Sequence, residues 1–571
     1  MARSIIFVGC VSDDAACARQ VLANFERLSA QSEKAFFIFV ENDSVDATKA
    51  LLAEWCEGRE NARLLCFDGL LARLPKHAER LAFLRNQIMK FIKEHDLVDY
   101  DALCLMDFDE VNKNEISSDG FAAAADFLFS DAENAGVFAV SDPIYYDIDA
   151  LRHEHWCGSD FWKDYRAAPV GEQGAILQSR IFDRQVPIEK TQPPIAVSSA
   201  FGGLALYRLS YALQATYVGL DPDGSEICEH VSFNEDIKRL GGNLYIFPLM
   251  RNSVSWQRCF DGRQQRTMRF SNGGLEIELL APQSHKLDHY LNSYPLYDRR
   301  LPALLSVFNR LFGDASVLDI GGNILDTIAL MRLGGVRLSR SISVDASLEF
   351  YKYARFNLEK NRAYFGDSEI VWGFVGAEED RGNVTARNGT GNVWDLHRHG
   401  AARSLLEPRC VNFSDLAPAG MDLVKTDLDG YDHVVIRQNL AWLKRWKPML
   451  WVEAQIEDRA DISAWSNVLL ALADDFPYVA VFDNFGFCLC AGTMIDKWNV
   501  VLDLIGIGAR YKANESKLGL PRFYYLDILF VPRHREYVFQ EFIGQLPEMA
   551  DVMPPTSRFE PALEDYHEQV G

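Results

Sequence analysis

The chain has few cations and no long apolar run, and these two shortages exclude large classes of protein. Its 571 residues contain 58 Lys and Arg against 81 Asp and Glu, a net charge of -23, whereas nucleic-acid binding needs a clustered basic surface. No apolar run reaches the roughly 18 residues that a membrane-spanning helix requires, so we expect no transmembrane segment. Eleven cysteines, scattered through apolar segments, fit a reducing compartment and predict a cytoplasmic protein.

The chain also lacks internal repeats and low-complexity blocks, so its length must come from more than one compact core. A chain of 571 residues exceeds what one hydrophobic core supports. Apolar strand-like segments alternate with helical spacing over residues 1–130, which predicts a mainly parallel sheet, and residues 137–260 suggest an α+β continuation. The polar stretch at 260–266 is the best boundary. We therefore predict an α/β protein with two domains, residues 1–262 and 263–571.

Two carboxylates end one of the predicted buried strands. Asp107 and Asp109 follow the apolar residues 102–106, and side chains two apart on a strand point the same way. A hard cation such as Mn²⁺ or Mg²⁺ takes oxygen ligands and would bridge the diphosphate of a nucleotide-sugar. An isolated D-x-D is common by chance, but this pair ends a strand downstream of a second acidic turn.

That second turn follows the strand predicted at residues 35–40. Its sequence, E-N-D-S-V-D-A-T at residues 41–48, places Glu41, Asn42 and Asp43 just beyond the strand. Polar residues in the same run are also suited to capping the next helix. The turn is therefore either part of a nucleotide site or a simple capping structure.

With L-R-N at residues 84–86, these motifs resemble the GT-A glycosyltransferases, and among them the cryptococcal-mannosyltransferase-like group, over residues 1–260. The resemblance implies that the turn binds the nucleotide part of the donor and that Arg85 contacts the donor's phosphates or sugar. It makes Asp107 and Asp109 the metal motif, and it suggests GDP-mannose as the donor. The segment S-A-F-G-G at residues 199–203 would lie beside the donor sugar or the acceptor.

The same resemblance extends to the segment C-E-H-V-S-F-N at residues 228–234. It implies that His230 completes the metal shell and that Glu229 assists transfer, with Asp236 as a weaker catalytic candidate. A histidine in the core or at a helix cap is the alternative for His230.

The run V-L-D-I-G-G-N-I-L-D-T at residues 317–327 predicts a strand, a tight turn and a helix start, where an α/β sheet accepts a nucleotide-like ligand. Gly321 and Gly322 let the backbone approach a ligand, and Asp319 can hold the turn or accept from an ammonium group. The run lacks G-x-G-x-x-G, which disfavours NAD. Asp345 ends the next predicted strand, where a carboxylate suits ribose hydroxyls.

A second signature, D-L-V-K-T-D-L-D-G-Y-D at residues 422–432, is followed by W-V-E-A at residues 451–454. With the glycine run, these motifs resemble the FkbM-type S-adenosylmethionine-dependent methyltransferases over residues 267–535. The resemblance implies an O-methyltransferase. Its cofactor would lie among Asp319, Gly321, Gly322, Asn323, Asp326 and Asp345. Its acceptor would lie beside Lys425, Asp427 and Glu453.

Methyl transfer needs an aligned acceptor oxygen and a group that removes its proton. Asp427 or Glu453 could act as the base, and Lys425 could stabilise a developing alkoxide. A structural ion pair between Lys425 and Asp427 is the simpler alternative, and the sequence leaves open whether this site uses a metal.

We therefore predict a bifunctional glycan-modifying enzyme with a GT-A domain and a Rossmann-like class I methyltransferase domain. It would transfer a sugar from a nucleotide-sugar donor to a glycan acceptor and methylate a sugar hydroxyl, in the synthesis or termination of a surface polysaccharide. One alternative is a sugar O-methyltransferase whose N-terminal domain only binds glycan, and another is a non-catalytic scaffold. The sequence leaves the donor, the linkage and the formation of a homo-oligomer open.

Overall fold

The computed structural model describes residues 3–260, 265–376, 384–387, 390–393, 406–456, 459–512, 525–546 and 558–559. The chain divides into two compact units, the first made largely of residues 1–261 and the second largely of residues 262–571. Each unit is a mixed α/β structure with its own large sheet. Within the described residues, no helix is both long and apolar enough to cross a bilayer.

Strands and helices alternate through most of the first unit. Its strands are β1 (Ser4–Val11), β2 (Lys34–Glu41), β3 (Ala62–Cys66), β4 (Ala102–Met106), β5 (Asn134–Asp142), β6 (Ile195–Val197), β7 (Leu204–Arg208) and β8 (Asn243–Ser253). Its helices are α1 (Ala15–Ser29), α2 (Thr48–Cys56), α3 (Leu70–Arg73), α4 (His77–Glu94), α5 (Ser118–Leu128), α6 (Phe161–Ala167), α7 (Gln173–Arg180), α8 (Leu209–Ala212) and α9 (Glu229–Arg239). Short 3₁₀ turns cover Glu110–Asn112, Phe182–Arg184 and Trp256–Arg258.

The strands of the first unit form one sheet in the order β3-β2-β1-β4-β7-β5-β8-β6. The first four strands of the chain are parallel, as the sequence predicts. β7 runs antiparallel between β4 and β5, in the part of the chain that the sequence predicts as an α+β continuation. The sequence could not show this, because a strand buried on both faces reads as a continuous apolar run whichever way it runs.

The second unit begins with a hairpin and continues with alternating strands and helices. Its strands are β9 (Gln265–Asn272), β10 (Leu275–Pro282), β11 (Ala315–Ile320), β12 (Leu338–Asp345), β13 (Ser368–Phe374), β14 (Val384–Arg387), β15 (Thr390–Val393), β16 (Arg409–Cys410), β17 (Leu423–Thr426), β18 (Met449–Gln455), β19 (Tyr478–Asp483), β20 (Cys488–Thr493), β21 (Tyr525–Val531) and β22 (Arg558–Phe559). Its helices are α10 (Leu287–Ser293), α11 (Arg300–Phe312), α12 (Asp326–Leu333), α13 (Leu348–Lys360), α14 (Arg362–Phe365), α15 (Phe413–Leu416), α16 (Asp432–Gln438), α17 (Leu440–Trp446), α18 (Arg459–Leu472), α19 (Met494–Lys512) and α20 (Glu536–Gln545). A 3₁₀ turn covers Arg533–Arg535.

The main sheet of the second unit has the order β16-β13-β12-β11-β17-β18-β21-β19-β20. From β16 to β18 neighbouring strands are parallel, whereas β21 is antiparallel to both β18 and β19. Chain order runs outward from β11 in one direction and then resumes on its other side at β17. Crevices at such switch points, beyond the carboxyl ends of the strands, are where α/β sheets bind ligands.

An antiparallel hairpin opens the second unit. β9 and β10 pair with Asn272 opposite Leu275, so Gly273 and Gly274 form the two-residue turn. β22 adds to the outer side of β9. Residues 547–557 and 560–571 lie outside the described residues.

Candidate active sites

The carboxylates of the first site stand at the carboxyl end of β4, and the residue between them directs both. Phe108 is buried against Phe25 and Phe39, with ring centroids 5.4 and 5.3 Å away. Since alternate residues of an extended segment face opposite sides, placing Phe108 in the core turns Asp107 and Asp109 away from it. Their side chains are 29% and 25% exposed, so a ligand can reach both.

Opposing neighbours set the charge state of Asp107. Its burial raises its pKa to about 7; Arg85 opposes the shift, and Asp109 and Asp147 add to it. Arg85 is almost fully buried, with Nη2 3.4 Å from Asp107 Oδ1 and Nη1 in contact with Glu229. The structure thus places Arg85 behind the carboxylate, where it orients Asp107. Direct contact between Arg85 and a donor stays a prediction.

Asp109 is bound on both oxygens. Its Oδ1 accepts a hydrogen bond from the backbone N–H of Val111 (3.1 Å), and its Oδ2 is 2.9 Å from Arg258. Arg258 also lies 3.2 Å from Glu110. The sequence reasoning did not find Arg258, because it sits on a short 3₁₀ turn far along the chain, with no motif around it.

The turn after β1 brings a further carboxylate to this edge. Burial, together with the charges of Asp109 and Asp46, raises the pKa of Asp14 to about 6. The carboxyl ends of β1, β2 and β4 meet here because these strands are parallel neighbours. The first site is therefore an acidic sheet edge that extends beyond the predicted pair. Asp14 carried no signal beyond its acidity.

The predicted nucleotide turn lies at the same edge, and part of it is fully buried. Glu41 accepts a hydrogen bond from the backbone N–H of Ser44 (2.8 Å), and its second oxygen is 3.6 Å from Lys49 Nζ. Glu41 and Asn42 are both buried. These bonds fix the shape of the turn after β2.

Asp43 has both oxygens bound by backbone groups. It accepts hydrogen bonds from the backbone N–H groups of Leu71 (2.6 Å) and Gly69. These bonds lower its pKa, and the bond from Leu71 has the larger effect. Asp46 in turn accepts from the N–H groups of Thr48 (2.8 Å) and Ala15 (3.0 Å). Asp46 therefore joins the starts of α1 and α2, and Asp43 joins the turn after β2 to the start of α3. A role of this turn in nucleotide binding stays a prediction.

His230 is packed among aromatic rings. It stacks on Phe201 with centroids 3.8 Å apart, and Tyr217 meets it edge-on at 5.8 Å. Neither ring nitrogen has a hydrogen-bond partner, and Nε2 lies 3.7 Å from Glu229 Oε1. Burial lowers the pKa of His230 well below its usual value. The ring is therefore neutral, the form in which imidazole binds metals.

A divalent cation fits the donor set of the first site in a limited way. Among the described residues, no group of three or more His, Cys, Asp or Glu side chains is arranged to hold a metal. Asp107 and Asp109 would supply two carboxylates, and ligand oxygens would fill the remaining positions, as in sites where Mg²⁺ binds one or two carboxylates plus phosphates. His230 as a third ligand stays a prediction.

Asp236, the weaker catalytic candidate, is bound elsewhere on α9. It accepts from the backbone N–H of Thr216 (3.0 Å) and pairs with Arg239 (2.5 Å). These contacts fasten the loop at residue 216 to the helix. The described contacts of Asp236 thus differ from those that join Arg85, Asp107 and Glu229.

A glycine turn closes the first site on a further side. Gly202 has φ 69°, and a Cβ there would lie 2.4 Å from the carbonyl oxygen of Ala139. Its N–H donates to Asp147 (2.8 Å), and its carbonyl accepts from Asn252 (2.7 Å). Because Asp147 also raises the pKa of Asp107, this turn adjoins the carboxylate pair. The sequence reasoning missed Asp147, which lies in an irregular segment after β5.

The glycine turn of the second unit lies at the switch point of its sheet. Gly321 has φ 85°, and a Cβ there would lie 2.0 Å from the carbonyl oxygen of Asp427. The N–H groups of Gly321 and Gly322 both donate to the carbonyl of Val344 (2.9 and 3.1 Å). The turn is therefore drawn against the ends of β12 and β17, which only a residue without a side chain at position 321 allows.

Asp345 braces this turn from the end of β12. Its two oxygens accept from the backbone N–H groups of Asn323 (2.9 Å) and Ser347 (2.8 Å). Burial nevertheless raises its pKa to about 7. Asn323 itself has φ 44°, and its side chain contacts His285 (3.3 Å). His285 precedes α10 and lies in no motif that would have indicated it.

Lys425 lies in the middle of an acidic cluster at the ends of β11 and β17. Its Nζ is 3.0 Å from Asp427 and 3.7 Å from Asp319. Asp319 is fully buried with its pKa raised to about 6 by burial, and burial likewise raises the pKa of Asp326 to about 6. Burial would also raise the pKa of Asp427, but Lys425 and a hydrogen bond with Glu453 lower it.

Glu453 and Asp427 form an unequal pair. Burial and the charge of Asp427 raise the pKa of Glu453 well above its usual value, whereas the pKa of Asp427 is lowered, so a proton shared by the pair resides on Glu453. The predicted ion pair between Lys425 and Asp427 is thus present. It leaves Asp427 39% exposed, so the same residue can face a ligand.

Two further carboxylates belong to this cluster and were not predicted. Asp298 lies just before α11 and has φ 54°. Together with Asp427, Asp319 and Asp326, its charge raises the pKa of Lys425 against the effect of burial. Asp527 on β21 pairs in register with Glu453 on β18. The crevice therefore holds more negative than positive groups, which suits a ligand that carries positive charge. Neither residue lies in a motif, since one precedes a helix and the other sits on the antiparallel strand.

No protein-family model matches the chain, and no curated protein matches it. Several solved structures are similar to part of the chain. The mannosyltransferase PcManGT from Pyrobaculum calidifontis, in complex with GDP-Man and Mn²⁺, is 13% identical, with a TM-score of 0.27 over 44% of this chain and 57% of that protein. This chain thus spans little more than half of that protein's length.

Two other solved structures are similar at the same low level. Glucosyl-3-phosphoglycerate synthase from Mycobacterium tuberculosis, with Mn²⁺, UDP and phosphoglyceric acid, is 11% identical, with a TM-score of 0.25 over 49% of this chain and 87% of that protein. The bifunctional kinase-methyltransferase WbdD is 12% identical, with a TM-score of 0.18 over 30% of this chain and 29% of that protein. Similarities this weak assign no function, so the proposal below rests on the residues and the geometry.

Proposed function

We propose that the chain is a bifunctional glycan-modifying enzyme. Residues 1–262 would be a metal-dependent glycosyltransferase domain of the GT-A type, and residues 263–571 an FkbM-type S-adenosylmethionine-dependent O-methyltransferase domain. The observation that carries the proposal is that each unit has its own acidic site at the carboxyl edge of its own sheet.

In the first unit, Asp107 and Asp109 would hold the divalent cation, which supplies charge neutralisation for the donor's diphosphate. Arg85 pairs with Asp107 and orients it. Its positive charge opposes the rise in the pKa of Asp107 that burial causes. The turn at residues 199–203 would lie beside the donor sugar or the acceptor. Glu229 is in contact with Arg85, so it would assist transfer indirectly, by holding Arg85 in position.

In the second unit, the strand order supports a class I methyltransferase fold, since β21 lies antiparallel between β18 and β19, beside the parallel strands from β16 to β18. A second antiparallel strand, β20, pairs with β19 at the edge. Asp345 would accept from the ribose hydroxyls of S-adenosylmethionine. Asp319 and Asp326 would favour its positive charge. The bound cofactor would supply an electrophilic methyl group.

The proton balance of methylation points to Asp427. It is ionised, partly exposed and held by Lys425 (3.0 Å), so it can accept the proton of a sugar hydroxyl. Glu453 is protonated and hydrogen-bonded to Asp427, so it would position this base. Lys425 would stabilise negative charge on the acceptor oxygen.

Joining the two activities in one chain gives the product of the first site a high effective concentration at the second. A methylated terminal sugar cannot be extended at that hydroxyl. Synthesis or termination of a surface polysaccharide is therefore the role that we propose.

A thermal-shift screen of the full chain tests the proposal. Nucleotide-sugars with Mn²⁺ should raise the melting temperature of one transition, and S-adenosylhomocysteine should raise that of another. A chain stabilised only by S-adenosylhomocysteine and by glycans would indicate a methyltransferase with a non-catalytic glycan-binding N-terminal domain. No shift with S-adenosylhomocysteine would contradict the methyltransferase assignment.

A further inference from the structure

Arg258 occupies the outer side of the first site. Its guanidinium lies 2.9 Å from Asp109 Oδ2 and 3.2 Å from Glu110 Oε1. Ser255 donates to the same oxygen of Glu110 (3.0 Å), and the ring of Tyr146 lies 5.5 Å from the guanidinium. The arginine is thus seated between two carboxylates and an aromatic ring, although 39% of its side chain remains exposed.

The carboxylate of Asp109 cannot bind both the guanidinium of Arg258 and a divalent cation without weakening one of the two interactions. Its Oδ1 accepts from Val111 (3.1 Å), and its Oδ2 pairs with Arg258, so both oxygens are in use. A divalent cation held by Asp107 and Asp109 needs at least one of them. Since like charges a few ångströms apart repel, binding of that cation must weaken the pair between Asp109 and Arg258.

We propose that Arg258 pairs with Asp109 before the metal binds, releases Asp109 when the divalent cation binds, and then binds the diphosphate of the donor. This inference rests on the proposed glycosyltransferase function. A guanidinium is suited to the second role because it pairs with phosphate oxygens in a bidentate manner. Arg85 is not suited, because it is 3% exposed and already joins Asp107 to Glu229. Arg258, with 39% of its side chain exposed, is within reach of a ligand.

The exchange of partners predicts two effects of opposite sign. In Arg258→Gln the competitor of the metal is gone, so Mn²⁺ alone should bind about three- to tenfold more tightly, as expected for loss of two partly exposed ion pairs. At saturating Mn²⁺, GDP or UDP should bind about tenfold or more weakly, because a charged contact to phosphate is lost. A purely structural role of Arg258 would weaken both.

Arg59→Gln is the matched control. Arg59 is 41% exposed, pairs with Glu26 (2.7 Å) and lies 3.9 Å from the ring of Trp55, so its setting resembles that of Arg258 at a place away from β4. This variant should bind Mn²⁺ and nucleotide like the unaltered chain. Arg258→Lys keeps the positive charge and should leave the affinity for Mn²⁺ nearly unchanged while weakening nucleotide binding.

The test is calorimetry on the full-length chain and these variants, first with Mn²⁺ alone and then with GDP and UDP at saturating Mn²⁺. Tighter Mn²⁺ binding with weaker nucleotide binding in Arg258→Gln supports the inference. Unchanged or weaker Mn²⁺ binding in that variant overturns it while the proposed function stands, provided that the unaltered chain binds both ligands. An unaltered chain that binds neither Mn²⁺ nor a nucleotide overturns the proposed function and this inference together.

Discussion

Replacing Asp319 with asparagine should stabilise the second unit at pH 8 and weaken its ligand binding. Asp319 is fully buried, and burial raises its pKa to about 6. Its Oδ1 has no hydrogen-bond donor, and the nearest cation, Lys425, is 3.7 Å away. A shift of about 2 pKa units means that the ionised form costs ~3 kcal/mol in the fold. Asparagine has the same shape and no charge, so it removes that cost.

The gain should depend on pH in a defined direction. An acid with a raised pKa in the folded state binds more protons there than in the unfolded state, so the fold loses stability as pH rises from about 4 and the loss is complete above about 6. The cost of Asp319 is therefore ~0.5 kcal/mol at pH 4 and ~3 kcal/mol at pH 8. Asp319→Asn should gain ~2.5 kcal/mol more at pH 8 than at pH 4.

Hydrogen exchange of peptides from residues 315–345 in graded urea reports this gain for the second unit alone, because exchange resolves local opening free energies. Calorimetry with S-adenosylhomocysteine should show binding weaker by about tenfold to a hundredfold, the worth of a hydrogen bond to a charged group. Lower protection in Asp319→Asn at pH 8 would refute the burial argument. Unchanged S-adenosylhomocysteine affinity would refute the placement of Asp319 at the cofactor.

Three further changes address the same two units. Gly321→Ala should lower the free energy of unfolding by ~2 kcal/mol or more and abolish S-adenosylhomocysteine binding, because the new Cβ would meet the carbonyl oxygen of Asp427. Binding retained in calorimetry would contradict the close-packed turn. Glu453→Gln keeps a hydrogen-bond donor to Asp427, so its methyl-transfer rate should stay within about tenfold of the unaltered chain. Glu453→Ala lacks that donor, and its rate should fall on the order of a hundredfold. Equal rates of the two variants in a methylation assay would argue against this positioning role. Fragments separated near residue 262 should each fold with a cooperative circular-dichroism melt, and insolubility of both would show that the units are not independent.

The residues that the sequence identified lie where strand-end patterns are clear. Asp107 and Asp109 follow a buried strand, and the buried Phe108 between them determines where both point. Asp345 and Asp427 likewise stand at ends of parallel strands, whose carboxyl edges coincide in this kind of sheet. Apolar strand patterns and glycine turns were enough to find these positions.

The residues that the sequence missed come from segments without periodicity. Asp147 and Arg258 lie on irregular loop or 3₁₀ segments, and Asp298 precedes a helix. Their nearness to the sites depends on how the loops return to the sheet edge, which no local pattern encodes. The motif at residues 41–48 shows a different case, since Asp43 binds the backbone N–H groups of Gly69 and Leu71. Its local sequence did not indicate these contacts, and its role in nucleotide binding stays a prediction.

The central claim, two independent ligand sites in one chain, is tested most directly by crossed calorimetry on two variants. Asp109→Ala should lose binding of Mn²⁺ with GDP or UDP and bind S-adenosylhomocysteine like the unaltered chain. Asp345→Ala should lose S-adenosylhomocysteine binding and keep Mn²⁺ with nucleotide. Loss of both ligands in either variant, with the fold intact by circular dichroism, would contradict the account and indicate one shared site.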